Sequence, residues 1–424
     1  RIKTAPKSLT LEKVSLIGRG FEASANGLLG AGTSQGESQG ESKDAGLRFN
    51  IIAVDARRID PRLSGSAELA GVLSGALDNP DAAVELHGAR LSAIGRPVRD
   101  LLVRIDASHL FGALKGKLSL AGTIDGRKLQ GGGGLSKRAD GGWDVSGLAI
   151  ALGSAKLNGS ARLAPSGVAD GSLAIIAPDL NHVSALLLTT VRGSLRADVK
   201  LASAGARQNA DIKANARSIV YDSIRIGSAA ADISARDLSG KPAIAGTIKA
   251  ANVRAAGETI GRLDVTAKGT GAETGFTIKA SGGSIGLDSV GTLRNGAGTS
   301  VYLRSLTAVR RGVRISLVSP STLQVIDGGV RTSALTLAAS GGRISLSGQA
   351  GKTLNLKAAI ANLPLSIAKA ASPKLILAGK LKANAHITGS PASPQGIYDV
   401  AITALATPET RRAGVPPLNI NLAG

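Results

Sequence analysis

The sequence predicts an all-β protein built as an extended, mainly antiparallel sheet, and three observations carry that prediction. Aliphatic and polar residues alternate at a period of two through most of the chain, Gly and Asx-Gly turn signals recur between the alternating runs, and large aromatic side chains are scarce. In a strand, residues of one parity face one side. Val313, Ile315 and Leu317 alternate with Arg314 and Ser316; Leu335 and Leu337 flank Thr336; Ile344 and Leu346 flank Ser345; Leu354 and Leu356 flank Asn355; Leu375, Leu377 and Leu381 share a parity with Gly379. These aliphatic residues are the candidate lining of one apolar face. Such a face must be hidden against a second sheet, against itself or against an apolar ligand.

Composition bounds the choice. Hydrophobic residues make up 43% of the 424 residues, yet there are 1 Trp, 3 Tyr, 4 Phe and no Met. Aromatics fill thick cores, each burying roughly 150–250 Å²; a chain that relies on Ala, Val, Ile and Leu suits a thin lining. The length exceeds that of an ordinary domain, but no linker interrupts the pattern. The reading is therefore one continuous β-repeat region over 1–424, with a flexible Gly/Ser/Glu loop at 33–46 that holds the tandem Gln35–Ser38 and Gln39–Ser42. With Arg1 first and no Met, the sequence reads as a portion of a longer chain, and it lacks the run of about 18 apolar residues that a membrane helix needs.

The absence of Cys excludes disulfides, thiol chemistry and Cys-bound zinc. The formal net charge is +21. Its carriers stand one at a time on polar strand positions, as Arg314, Lys357, Lys380 and Lys382 do, where they keep a sheet soluble and discourage edge-to-edge pairing. Single-strand binders add aromatic stacking platforms to a basic groove, so no nucleic-acid partner is expected.

Along the chain, Asp125-Gly126, Asp140-Gly141, Asn158-Gly159 and Asp327-Gly328 predict hairpin turns. The run Gly131–Gly134 reads as a loop, since no phosphate-binding fingerprint surrounds it. Gly351-Lys352-Thr353 lacks the opening glycine of a nucleotide-binding loop and reads as a hairpin. Helical spacing marks two short segments, Asp179–Thr190 and Leu365–Ala371. His87, His109, His182 and His386 show no ligand spacing, and no nucleophile elbow is present. The chain is expected to be no enzyme and to hold no cofactor or metal.

An internal repeat adds a further clue. Leu63-Ser-Gly65, Leu73, Gly75 and Pro80 recur at the same spacing as Leu377-Ala-Gly379, Ile387, Gly389 and Pro394, and Val191-Arg-Gly193 opens a looser copy. These units, with the stretch Gly341–Gly348 running on to Leu363-Pro-Leu365, resemble the recurrent units of the TamB family of translocation and assembly module proteins. The resemblance covers most of the chain outside the 33–46 loop.

It implies an elongated sheet curled into a long trough (a β-taco, solenoid-like) with a hydrophobic interior and one or two short helices. It also implies a periplasmic chain held at the inner membrane of a Gram-negative bacterium by an anchor outside this sequence. Its implied partners are phospholipids and a TamA-like outer-membrane barrel. Some forty strands stacked at ~4.7 Å would extend on the order of 200 Å, a bridging dimension. The expected function is non-enzymatic carriage of phospholipids between the two membranes for outer-membrane biogenesis. The alternatives are a scaffold for the assembly or secretion of outer-membrane proteins and a closed β-solenoid stalk.

Overall fold

The period-two runs become 29 strands among the described residues. The computed structural model describes every residue except 6, 19, 31–45, 54, 56, 58–62, 94, 95, 188, 241, 256, 270, 296 and 297. The 33–46 loop thus lies, apart from Gly46, outside the described residues. Among them, no helix is long and apolar enough to cross a membrane. Chain contacts divide the protein into two units, Arg1–Ala216 and Arg217–Gly424.

In both units the strands run antiparallel and most pair with the next strand in the chain, as turn-rich sequence with short connections requires. One departure lies in the second unit. Val313–Leu317 and Ser321–Ile326 share the same two neighbours, Thr299–Arg310 and Gly329–Ala339. They are one strand interrupted before Pro320, which has no N–H to give to a ladder.

Register keeps the aliphatic parity on one face. In the first unit, Phe49, Gly71, Val84, Ile105, Leu118 and Gly133 stand opposite one another in sequence across six strands. In the second unit, Leu317, Leu337, Ile344, Ile360, Ala383 and Val400 do the same.

Simple alternation would break at several places, and β-bulges repair it. Leu11 and Val14 are three apart, yet they pair with Gly27 and Ala25, two apart; Ile360 and Leu363 pair likewise with Ala383 and Leu381, and Ile402 and Leu405 with Ile420 and Leu418. The extra residue sits in left-handed conformation, with φ 50° at Lys13, 50° at Asn362 and 53° at Ala404. Each bulge returns the next aliphatic residue to the apolar side and bends its strand.

Two turn expectations are corrected. Gly131–Gly134 lies inside the strand Arg127–Lys137, and Asn158-Gly159 inside Ala155–Leu163. The glycines serve close approach rather than turning: a Cβ on Gly131 would lie 2.6 Å from the Ala149 carbonyl oxygen, and one on Gly159 2.3 Å from that of Ser172. The other three Asx-Gly dipeptides do form turns, and Gly351–Thr353 links two paired strands.

The two closest repeat copies share a device. Gly65 and Gly75 have φ of 96° and 86°, Gly379 and Gly389 117° and 92°, values that side-chain-bearing residues rarely adopt. Leu-x-Gly marks a break after the short strand Leu63–Ser64 in the first copy, and the start of the strand Ala378–Ser390, with a bulge at Gly379, in the second; the hairpins that follow also differ. Ser74 pairs with Asp81 across a longer connection closed by the buried Pro80, whereas Ser390 pairs with Ser393 and Pro394 lies in the returning strand.

Both helical segments form, in tighter geometry than predicted: a 3₁₀ turn Leu180–Val183 leads into a single α turn Ser184–Leu187, and Leu365–Ala370 is 3₁₀. A further turn, Pro408–Arg412, was not predicted. Its sequence carries the signal, with Thr407 and Thr410 forming a reciprocal capping box ahead of the last strand.

Candidate functional site

The aliphatic face of each unit is continuous but uncovered. Along Leu354–Pro364 the apolar parity is half-buried and the polar parity exposed. Ala358 is more enclosed than Ala359 and Ala361, so side chains of equal size report the difference between the faces. A sheet packed against a second layer would bury its inward residues almost fully. Here Ile105 and Ile244 are each 41% exposed, Val325 51% and Tyr398 49%, all on the apolar parity.

In each unit a cluster of fully buried residues gathers at one edge, where a helical segment meets the ends of the strands. In the second unit, Val313 and Ala339 are 2% and 0% exposed, and Leu363 is also buried. The segment Leu365–Ala370 lies against the strand of Val313, and the Arg311 guanidinium donates to the Ala370 and Ala371 carbonyls. In the first unit, Leu152, Ala155, Ala177 and Leu180 form the matching cluster. His182 Nδ1 accepts the Ser154 N–H at 2.8 Å, which ties the helical segment to a hairpin turn.

The predicted lining residues divide accordingly. Ile315, Leu317, Leu335, Leu337, Ile344, Leu346, Leu354, Leu356 and Leu381 stand on one half-covered face; Leu335, for instance, is opposite Leu346, and Leu356 is opposite Ile387. Val313 shares their parity but belongs to the edge core, so it is packed rather than open. Leu375 and Leu377 lie in the connector before Ala378–Ser390. Their alternation does not become strand because the chain is returning there from the Leu365–Ala370 segment through Pro373.

Phenylalanine occurs in one recurring arrangement on the face. Phe21, Phe49 and Phe276 stand on it, each opposite a glycine: Gly18, Gly71 and Gly291. A Cβ on any of these glycines would fall 2.3–2.6 Å from the phenylalanine ring. The ring therefore lies over the bare backbone of its neighbour instead of rising above the aliphatic residues.

Charge is handled at the edges. Glu258, beside the second unit's edge core, accepts from Arg310 Nη2 at 2.8 Å, from Ser284 Oγ at 3.0 Å and from Arg311 Nη2 at 3.5 Å. The Arg310 hydrogen bond, then that of Ser284, holds its carboxyl below the ordinary value of 4.5. A lowered folded-state pKa contributes stability above the unfolded value and loses it as pH falls through the folded one. The stability gap between the native chain and Glu258→Gln should therefore be full above pH 4.5 and close as the solution is acidified further. Thermal melts across acidic pH check this, and a gap independent of pH would refute it.

Among the described residues, no group of three or more His, Asp or Glu is placed to hold a metal. His87 pairs with Glu85 and His386 with Asn355, each on the polar side. Residues 113–296 match the family model of TamB, N-terminal domain. No curated protein and no solved structure matches the chain.

Proposed function

We propose, from its membership of the TamB family through residues 113–296, that the chain is a non-enzymatic carrier on whose apolar face phospholipid acyl chains travel between the inner and outer membranes. The uncovered aliphatic face supports this reading. Leaving Ile, Leu and Val half-exposed along a whole sheet forgoes roughly 25 cal/mol for every Å² not buried, and an acyl chain laid on the face would recover that. A predominantly aliphatic lining holds such a chain with little specificity, as a carrier requires. In this reading the chain works in the periplasm, with a membrane anchor and a TamA-like barrel as its partners at either end.

Photocrosslinking at adjacent residues tests the proposal. A benzophenone side chain at Ile344 faces the apolar side and one at Ser345 the other, because Ile344 pairs with Leu337 and Ser345 with Thr336. Phospholipid adducts are expected at Ile344 and not at Ser345. Equal labelling at both, or none at either, would sink the carrier reading; outer-membrane protein adducts at Ile344 would favour a scaffold instead.

A further inference from the structure

Where the aliphatic parity of the first unit reaches its helical edge, it ends in arginine. Arg127 is two residues before Leu129 and pairs with Ile124, which in turn pairs with Val98; Arg96 is two residues before Val98. Both therefore take positions that aliphatic residues hold further along the same strands.

Arg96, Arg99 and Arg127 line one cavity of about 590 Å³ together with Asp125, Asn181 and His182. Three guanidiniums there meet one carboxylate, and Arg96 Nη1 takes that carboxylate at 3.1 Å. Among the described residues, no acidic group lies within ion-pair distance of Arg99 or Arg127. The corresponding edge of the second unit is built differently, since both arginines there, Arg310 and Arg311, are paired with Glu258. His182 Nδ1 is engaged as an acceptor, so in the neutral ring the proton sits on Nε2, which faces the Asp179 carboxylate at 3.5 Å.

We propose that this cavity binds a phosphate group. Guanidinium is the side chain suited to it, because its planar fork of N–H donors matches phosphate oxygens two at a time and stays charged at every physiological pH. The position gives the source: a phospholipid whose acyl chains lie on the apolar face would carry its phosphate to the margin where Arg96 and Arg127 stand. That source rests on the carrier reading above; the affinity for phosphate does not.

The test compares the purified chain with Arg99→Gln/Arg127→Gln, keeping the Arg96–Asp125 pair intact, and with Arg162→Gln, which removes an arginine paired to Asp144 in the same unit. Each is offered vesicle-borne phosphatidylglycerol or diacylglycerol with identical acyl chains, and bound lipid is quantified. Separately, each is titrated with inorganic phosphate and followed by ³¹P NMR.

Retention of phosphatidylglycerol about tenfold above diacylglycerol is expected for the native chain and for Arg162→Gln. The double variant should lose that preference while keeping its diacylglycerol. Equal retention of the two lipids by the native chain, with no phosphate binding, would overturn the site and leave the carrier reading standing. Phosphate binding that the double variant abolishes, with neither lipid retained, would keep the site for free phosphate and overturn the headgroup assignment and carrier reading together. Unaltered lipid preference in the double variant would also overturn the proposal; the retained diacylglycerol shows that the variant has folded.

Discussion

Replacing Leu346 and Leu356 together by aspartate is expected to leave the protein folded and to strip it of phospholipid. Both residues are half-buried on the apolar face, with Leu346 between Leu335 and Ala358 and Leu356 between Gly348 and Ile387. A carboxylate there keeps much of its water, so each substitution should cost only about 1 kcal/mol of lost aliphatic contact. An acyl chain lying across the same place would have to strip that water. Desolvating an unpaired charge costs several kcal/mol, enough to lower lipid occupancy at least about a hundredfold. Lipid phosphorus per mole of protein, measured beside the thermal midpoint, checks both halves. Unchanged phosphorus in a folded double variant would remove this face from any transport path.

The largest loss of stability is expected from Val313→Asp. Val313 is 2% exposed and lies at the edge core with Ala339 and Leu363. The neighbouring guanidinium of Arg311 is already engaged by the Ala370 and Ala371 carbonyls and by Glu258. An unpaired buried charge should cost about 3–5 kcal/mol, a large share of the 5–15 kcal/mol typical of a domain. The same substitution at Ile315, two residues along on the same parity, should cost about 1 kcal/mol. Denaturant unfolding of the two variants measures the difference. Equal losses would mean that the apolar face is as tightly packed at mid-strand as at its edge.

That contrast also marks how far the sequence could be read. Period-two alternation places Ile315, Leu346 and Leu356 on one face because side-chain direction in a strand is set by local geometry alone. It places Val313 there equally well, and nothing local says that the Leu365–Ala370 segment returns to cover that strand. Alternation misplaces Leu375 and Leu377 for a related reason: pairing is a long-range property, and the chain leaves the sheet there. The bulges were invisible to a strict period of two, although Lys13, Asn362 and Ala404 mark them once register is known.

Gly131–Gly134 and Asn158-Gly159 carried the wrong meaning because glycine serves turning and close approach alike. The arginine-lined cavity had a faint signal in Arg127 standing in phase with Leu129. The approach of His182 and Asn181 to it is tertiary.

The pairing of each face phenylalanine with a glycine bears on speed rather than affinity. A molecule moving along a surface is slowed by its deepest well and its highest step, and an extra methylene of contact at one place deepens that well by about 0.8 kcal/mol, a roughly fourfold delay at that point. A phenylalanine standing proud of its neighbours would be an obstacle several methylenes high. In the carrier reading, the rings of Phe21, Phe49 and Phe276, lying over Gly18, Gly71 and Gly291, are three obstacles fewer along the face. In the same reading a cargo advances by thermal motion, with its net direction set by supply at one end and removal at the other.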